Sequence, residues 1–211
     1  MNARINMGGA LLARKVTPAG PGLVWHLRNR TRLSYVYGIV FNWLAKLFTR
    51  ATGIPTLTAE LAIKVRKASG EWIDYGVVGY RVVTNAGVAF LVDDMDPAAT
   101  TDISTLKYHG CGTGTTAEAA GDTALVTEST TALNPDSTRA TGTATQPSAN
   151  ILTSTATVSF DATAAITEHG LFSQAATGGG TLWDRTVFSA INVVSGDSIQ
   201  FAYSLTVSAG G

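Results

Sequence analysis

The sequence predicts a mainly β protein: an antiparallel β-sandwich, Ig-like or jelly-roll, with an N-terminal basic arm and one or two short helices. Three observations carry this expectation. Charged residues are only 14% of the 211-residue chain, while Gly, Thr, Ser and Ala are abundant, a balance that suits turn-rich sheets with uncharged polar surfaces. The last third holds four short apolar stretches separated by Gly, Asn, Asp and Ser turns, the spacing of sandwich strands. The charge is also split: residues 1–70 hold eleven Lys and Arg against the single acid Glu60, and residues 71–211 hold four against fourteen acids. Such asymmetry speaks to partners, with a basic arm that seeks an anionic surface and an acidic body that stays in solution.

The length allows one sizeable domain or two small ones with a real core. Cys111 is the only cysteine, so an intrachain disulfide is excluded and stability must come from packing. No secretory signal is expected, because the apolar stretch near residue 35 starts late and lacks a small-residue cleavage pattern.

Residues 1–30 read as an irregular arm, broken by Thr17-Pro18-Ala19-Gly20-Pro21-Gly22. Ser34 is placed to cap a helix running to about Thr49, with Gly53 and Pro55 stopping it. Val36, Ile39, Val40, Trp43, Leu44, Leu47 and Phe48 recur at three- and four-residue steps and share one face. The apolar span is shorter than the roughly 20 residues of a bilayer crossing, and Asn42 and Lys46 interrupt it. No stable membrane insertion is expected, and the reading is a core helix or an amphipathic docking helix, with a helix lying on a membrane surface third.

From residue 56 the period changes to two. Leu57, Ala59, Leu61, Ile63 and Val65 alternate with polar residues, Ala68-Ser69-Gly70-Glu71 forms a turn, and Tyr75 to Val83 pairs back. Val88, Leu91, Val92 and Met95 fit a short helix capped by Thr84, the favoured reading, while Asn85-Ala86-Gly87 also permits a hairpin turn. Thirty of the fifty residues 101–150 are Thr, Ala, Gly or Ser, a bias that predicts thinly packed strands and loops, with a strand through Ile103, Leu106 and Tyr108 and another at 141–145. Strands follow at 151–160, 165–172, 182–189 and 198–207, the last two separated by a turn at Ser195-Gly196-Asp197. The division is therefore 1–55, a basic aromatic arm with an amphipathic helix, and 56–211, a β-sandwich domain.

Candidate chemistry is sparse. His109 and Cys111 share a strand face, but no third group orients them as a nucleophile and base. The glycines of 110–114 lack the spacing and following helix of a phosphate loop. Cys111, His109, His169 and Asp96 show no paired metal-ligand spacing. Asp93, Asp94 and Asp96 lack the glycine and distal glutamate of a calcium loop and read as a solvated turn. Glu168-His169 reads as a structural pair at a strand end. No Ser–His–Asp arrangement is supported. No catalytic residue, metal or cofactor is expected.

The arm is the stronger signal because it is composite. Arg28, Arg30 and Arg32 alternate with Asn29 and Thr31, beside Trp25, His26, Tyr35, Tyr37 and Trp43. Arginines with aromatics suit nucleic acid and also protein interfaces. The apolar weight of the arm favours protein.

The run from Lys107-Tyr108-His109-Gly110-Cys111 to Glu128, residues 134–142, Thr167-Glu168-His169-Gly170-Leu171-Phe172-Ser173, residues 180–189 and residues 196–207, together with Asp74-Tyr75-Gly76 and Thr84-Asn85-Ala86-Gly87, form an ordered series that resembles segments of structural proteins of tailed-bacteriophage virions. The resemblance spans about residues 56–211 and lies in the ordered series of motifs. It implies a non-enzymatic virion component, such as a capsid decoration, cement or related head-surface protein, and brings no catalytic residues. The expected partners are the major capsid protein and copies of this chain, with Trp25, Arg28, Arg30, Arg32, Tyr35, Trp43 and Phe48 docking on the capsid. One alternative is a tail or fibre module binding a receptor or glycan through loops including Tyr108 and Trp183. Another is a DNA-contacting internal head protein.

Overall fold

The computed structural model describes residues 20–30, 32–80 and 82–209; the side chains of Leu33, Ser34, Arg50 and Val82 lie outside that description. The expectations on Thr17-Pro18-Ala19, on Arg4, Arg14 and Lys15, and on Arg81 fall outside the described residues as well.

Eleven strands and three α-helices are described. Helices α1 (Leu23–Arg30) and α2 (Leu33–Thr52) precede the hairpin β1 (Thr56–Arg66) and β2 (Trp72–Tyr80). The short β3 (Val82–Val83) leads into helix α3 (Asn85–Asp94). Then come β4 (Tyr108–Gly112), β5 (Leu133–Asn134), β6 (Ala140–Thr141), β7 (Thr143–Ser148), β8 (Ile151–Phe160), β9 (Ala164–Phe172), β10 (Leu182–Val193) and β11 (Ser198–Ser208). One sheet runs β2-β1-β11-β8-β5, with β7 also paired to β8, and the other runs β3-β10-β9-β4-β6. All the pairings are antiparallel. The architecture is the expected sandwich, and its first and last strands are neighbours, from Thr56 opposite Ser208 to Arg66 opposite Ser198.

The core lies between the sheets. Period-two alternation sends Leu61, Ile63 and Val65 of β1, Val158 and Phe160 of β8, and Ile199 and Phe201 of β11 inward. They meet Ile166 of β9 and Phe188, Ile191 and Val193 of β10. A smaller cluster of Ala59, Leu171, Trp183 and Tyr203 is covered by Leu91 of α3.

Four expectations need correction. Residues 23–30 are a helix, α1, rather than irregular arm. Helix α2 starts at Leu33 with Arg32 as N-cap, two residues before the expected Ser34 cap, and runs to Thr52 where Gly53 takes the left-handed conformation. The strand expected over 75–83 is split, because β2 ends at Tyr80 and β3 belongs to the other sheet beside β10. Gly79 sits at this crossing, where a Cβ would fall 2.4 Å from Thr186 Cγ2. Finally, Ile103–Thr105 is a single 3-10 turn rather than strand, since the Asp102 carboxylate accepts both the N–H and the hydroxyl of Ser104. Helix α3 forms as expected, with the Thr84 hydroxyl accepting the Gly87 N–H at 2.9 Å.

The Thr/Ala/Gly-rich segment is held against the outer face of the second sheet by buried charge. Glu168 accepts the N–H groups of Gly114, Val126 and Thr127 and pairs with Arg185 at 2.8 Å. Arg185 in turn reaches Asp122 and the Thr116 carbonyl. Arg139 lies 3.4 Å over the Phe172 ring, pairs with Glu128, and donates to the carbonyls of Gln174 and Gly179. Packing alone would not order so polar a stretch; these forked guanidinium contacts fasten it.

Candidate protein interface

The residues with chemical potential are built into the core. Cys111 is buried, and its thiol is pushed well above its usual range, first by burial and then by the charges of Glu128 and Glu168. His109 does share the inner face with it, but its ring nitrogens lie 3.0 Å from His169 Nε2 and 2.9 Å from Ser154 Oγ. His169 packs tilted against Phe201, ring centroids 4.3 Å apart, and sits within β9 rather than at a strand end. Asp94 and Asp96 accept the N–H groups of Ile103 and Ala98, as a turn requires. Among the described residues, no three His, Cys, Asp or Glu side chains come together as a metal site. Trp183, considered above as a ligand holder, is buried with its indole N–H donating to Tyr203 Oη at 2.8 Å. Tyr108 packs beside Leu125, Phe172 and Leu182.

The helical layer is different. Helix α1 closes the seam between the sheets. Strand β10 bulges between Val187 and Ile191, which leaves backbone groups that no strand can pair. Asn29, fully buried, accepts the Ser189 N–H and donates to the Val78 carbonyl on the opposite sheet. Trp25 donates to the Ala190 carbonyl at 3.1 Å and stands edge-on to Tyr75 at 4.6 Å. The outer side of α1 exposes Leu23, Val24, Leu27, Arg28 and Arg30.

Helix α2 is seated by its small residues. Gly38, Asn42, Ala45 and Thr49 recur at four- and three-residue steps, and among the described side chains of the helix this stripe holds the buried ones, Ala45 and Thr49. A Cβ on Gly38 would lie 2.4 Å from Tyr80 Cβ, so only glycine admits the approach. Thr49 Oγ1 meets Thr56 Oγ1 at 2.7 Å. At about 100° per residue, the apolar face read from the sequence lies roughly 180° from this stripe and points to solvent. Trp43 is 64% exposed and Phe41 66% exposed, and Val36, Ile39, Val40, Leu44, Leu47 and Phe48 are near half. A core role for that face is thereby replaced by an open surface. No helix among the described residues is long and apolar enough to cross a membrane.

The seven residues singled out in the arm therefore divide. Trp25, Arg32 and Tyr35 are half-buried against their own chain, Tyr35 beside Tyr80 at 5.6 Å. Burial lowers the affinity of the Arg32 guanidinium for its proton, opposed by the charge of Glu118. Arg28, Arg30, Trp43 and Phe48 face solvent. Beside α2 lies an open groove of about 760 Å³, walled by Tyr37 and Phe41 on one side and Val88 and Leu91 of α3 on the other. Leu57, Tyr80 and Trp183 lie at its base. Asn29, Phe41 and the small-residue stripe were not picked out from the sequence; the repeat Gly38, Asn42, Ala45, Thr49 was the available signal that the large residues look outward. Compared with known proteins, the chain matches no family model, no curated sequence and no solved structure, so the reading of this surface rests on its own geometry.

Proposed function

We propose that this chain is a non-enzymatic structural protein of a tailed-phage virion, a capsid cement or decoration protein that joins the head through its helical layer. The observation that carries the reading is the outward apolar face of α2. Nine large side chains, from Val36 to Phe48, are each 43–66% exposed on one helix. Together they amount to an apolar patch on the order of 800 Å², above what a free monomer usually leaves open. Exposed Arg28, Arg30 and Lys46 border it, and α1 and α2 contain no acid, so the docking surface on the capsid is acidic or neutral. The aliphatic and aromatic content of the face favours protein over nucleic acid.

Because α1 is wedged into the sandwich, the test is surface substitution rather than truncation. Val40→Glu with Leu47→Glu should leave the sandwich folded and reduce recovery of the chain in purified particles at least tenfold. Undiminished incorporation of a folded double variant, or its complete absence from wild-type virions, overturns the reading.

A further inference from the structure

Strand β2 stops short of the start of its neighbour β1, and the groove beside α2 lies at that notch. Strand β1 is paired with β11 along its whole length, from Thr56 opposite Ser208. Its pairing with β2 begins only at Glu60, opposite Tyr80, and Val82 and Val83 pair with β10 in the other sheet. Alternation fixes which way the backbone groups of the uncovered stretch point. The Val207 N–H donates to the Asn150 carbonyl and the Asp197 carbonyl accepts the Phe160 N–H, so the odd-numbered residues of β11 turn to the β8 side. The even-numbered residues turn to β1 and meet Thr56, Thr58 and Glu60. Leu57 and Ala59 therefore direct their N–H and C=O groups away from β11, into the groove that they help to floor. Among the described residues no strand pairs with them on that side.

Resting on the reading of this layer as an assembly surface, we propose that the groove takes an extended, uncharged apolar segment of the docking partner, which adds to β1 as a strand in the line that β2 vacates. An open strand edge is a template for such addition, and the open length, Thr56 to Ala59, is about 13 Å at the rise of a strand. Leu57, Thr58 and Ala59 include neither the charge nor the proline that would guard an edge. The walls set the side chains of the segment. Those on one face meet Tyr37 and Phe41 of α2, which packs on the Tyr80 side of the sheet. Those on the other meet Val83, Val88, Leu91 and Trp183, on the side to which Ala59 turns. A strand enclosed on both faces is a continuous apolar run rather than an alternating one. Glu118 is the only charged residue in the lining, so an acidic residue in the segment is disfavoured. A smooth apolar surface laid over the groove would strip water from the Leu57 backbone groups without replacing their hydrogen bonds, a cost that an added strand avoids.

The probe is a blocked peptide, acetyl-Lys-Lys-Ile-Val-Ile-Val-Lys-Lys-amide, titrated into the purified full chain by calorimetry. Saturable binding is expected. It should weaken at least tenfold when the four central amides are N-methylated, a change that removes the donors and keeps the apolar groups. Leu57→Pro deletes one groove-facing donor without touching the bonds from β1 to β11, and should weaken binding at least tenfold with thermal unfolding unchanged. Should that variant fail to fold, the N-methylated peptide decides. Hydrogen exchange at the Leu57 amide gives a second reading: fast in the dilute free chain, slowed by the peptide, and slowed in purified particles. No binding, or binding indifferent to N-methylation, overturns the strand addition. So does exchange that slows as the free chain is concentrated, which would put a second copy in the groove. A chain that takes the peptide but is absent from virions keeps the groove's role and rejects the capsid; an incorporated chain whose Leu57 amide still exchanges fast does the reverse.

Discussion

Asn29 shows how one side chain can tie an arm to a body. Its amide reaches backbone groups on both sheets, Val78 on one and Ser189 on the other. Replacing it with Ala leaves a buried carbonyl and a buried N–H unpaired, which costs about 2–4 kcal/mol. Chemical denaturation of Asn29→Ala should show a loss of that size, and an unchanged midpoint would mean α1 is not part of the fold. Glu168 is a parallel case. In Glu168→Gln the buried Arg185 keeps Asp122 but loses its closer partner, and a loss of about 3 kcal/mol is expected. Asp197 supplies the pH dependence. Burial pushes its carboxyl upward, but the hydrogen bonds from Lys67, the Ala68 N–H and the Val194 N–H, with the Lys67 charge, outweigh this and hold it below the usual carboxylate range. A depressed pKa stabilises the fold above the unfolded value of about 3.9 and the benefit is lost as pH falls through the folded value. Asp197→Asn should therefore be less stable than wild type at pH 6, with the difference shrinking toward pH 2 in thermal melts.

At the scale of elements, α2 is an amphipathic helix mounted in reverse. Its large residues were legible as one face from their spacing, but their direction was not, because periodicity groups residues without saying what each group touches. Gly38 decides it, since only the glycine side of the helix can approach Tyr80 so closely. Gly38→Ala should destabilise the protein by about 1–3 kcal/mol through that clash, even though Ala favours a helix by about 1 kcal/mol. A stabilised variant would show that α2 is seated differently. Strands β8, β9 and β11 were readable to within a residue because β8 and β11 alternate cleanly and end at turn residues, whereas β10 runs four residues past the expected end at Ser189. The stretch 101–150 was readable only in outline. Its order depends on Arg139, Arg185, Glu128 and Glu168, whose partners lie up to 69 residues apart in sequence.

For the whole molecule, the charge division separates a basic helical layer from an acidic sandwich, while the chain as a whole is neutral. On the proposed docking role, binding to an acidic capsid surface weakens with salt, and co-sedimentation of the chain with stripped particles measures this. Retention that rises with salt would point to a purely apolar contact. By itself the sequence determined the β class, the strands with clean alternation, the charge asymmetry and the helix of large apolar residues, because each is a local pattern of neighbouring side chains. Only the tertiary structure decided that α1 is bound into the seam, that His109, Cys111 and His169 belong to the core, and that the apolar side of α2 looks outward. Those outcomes depend on contacts between residues far apart in the chain, such as Asn29 with Ser189, and on the room available at a single Cβ, neither of which a one-dimensional pattern contains.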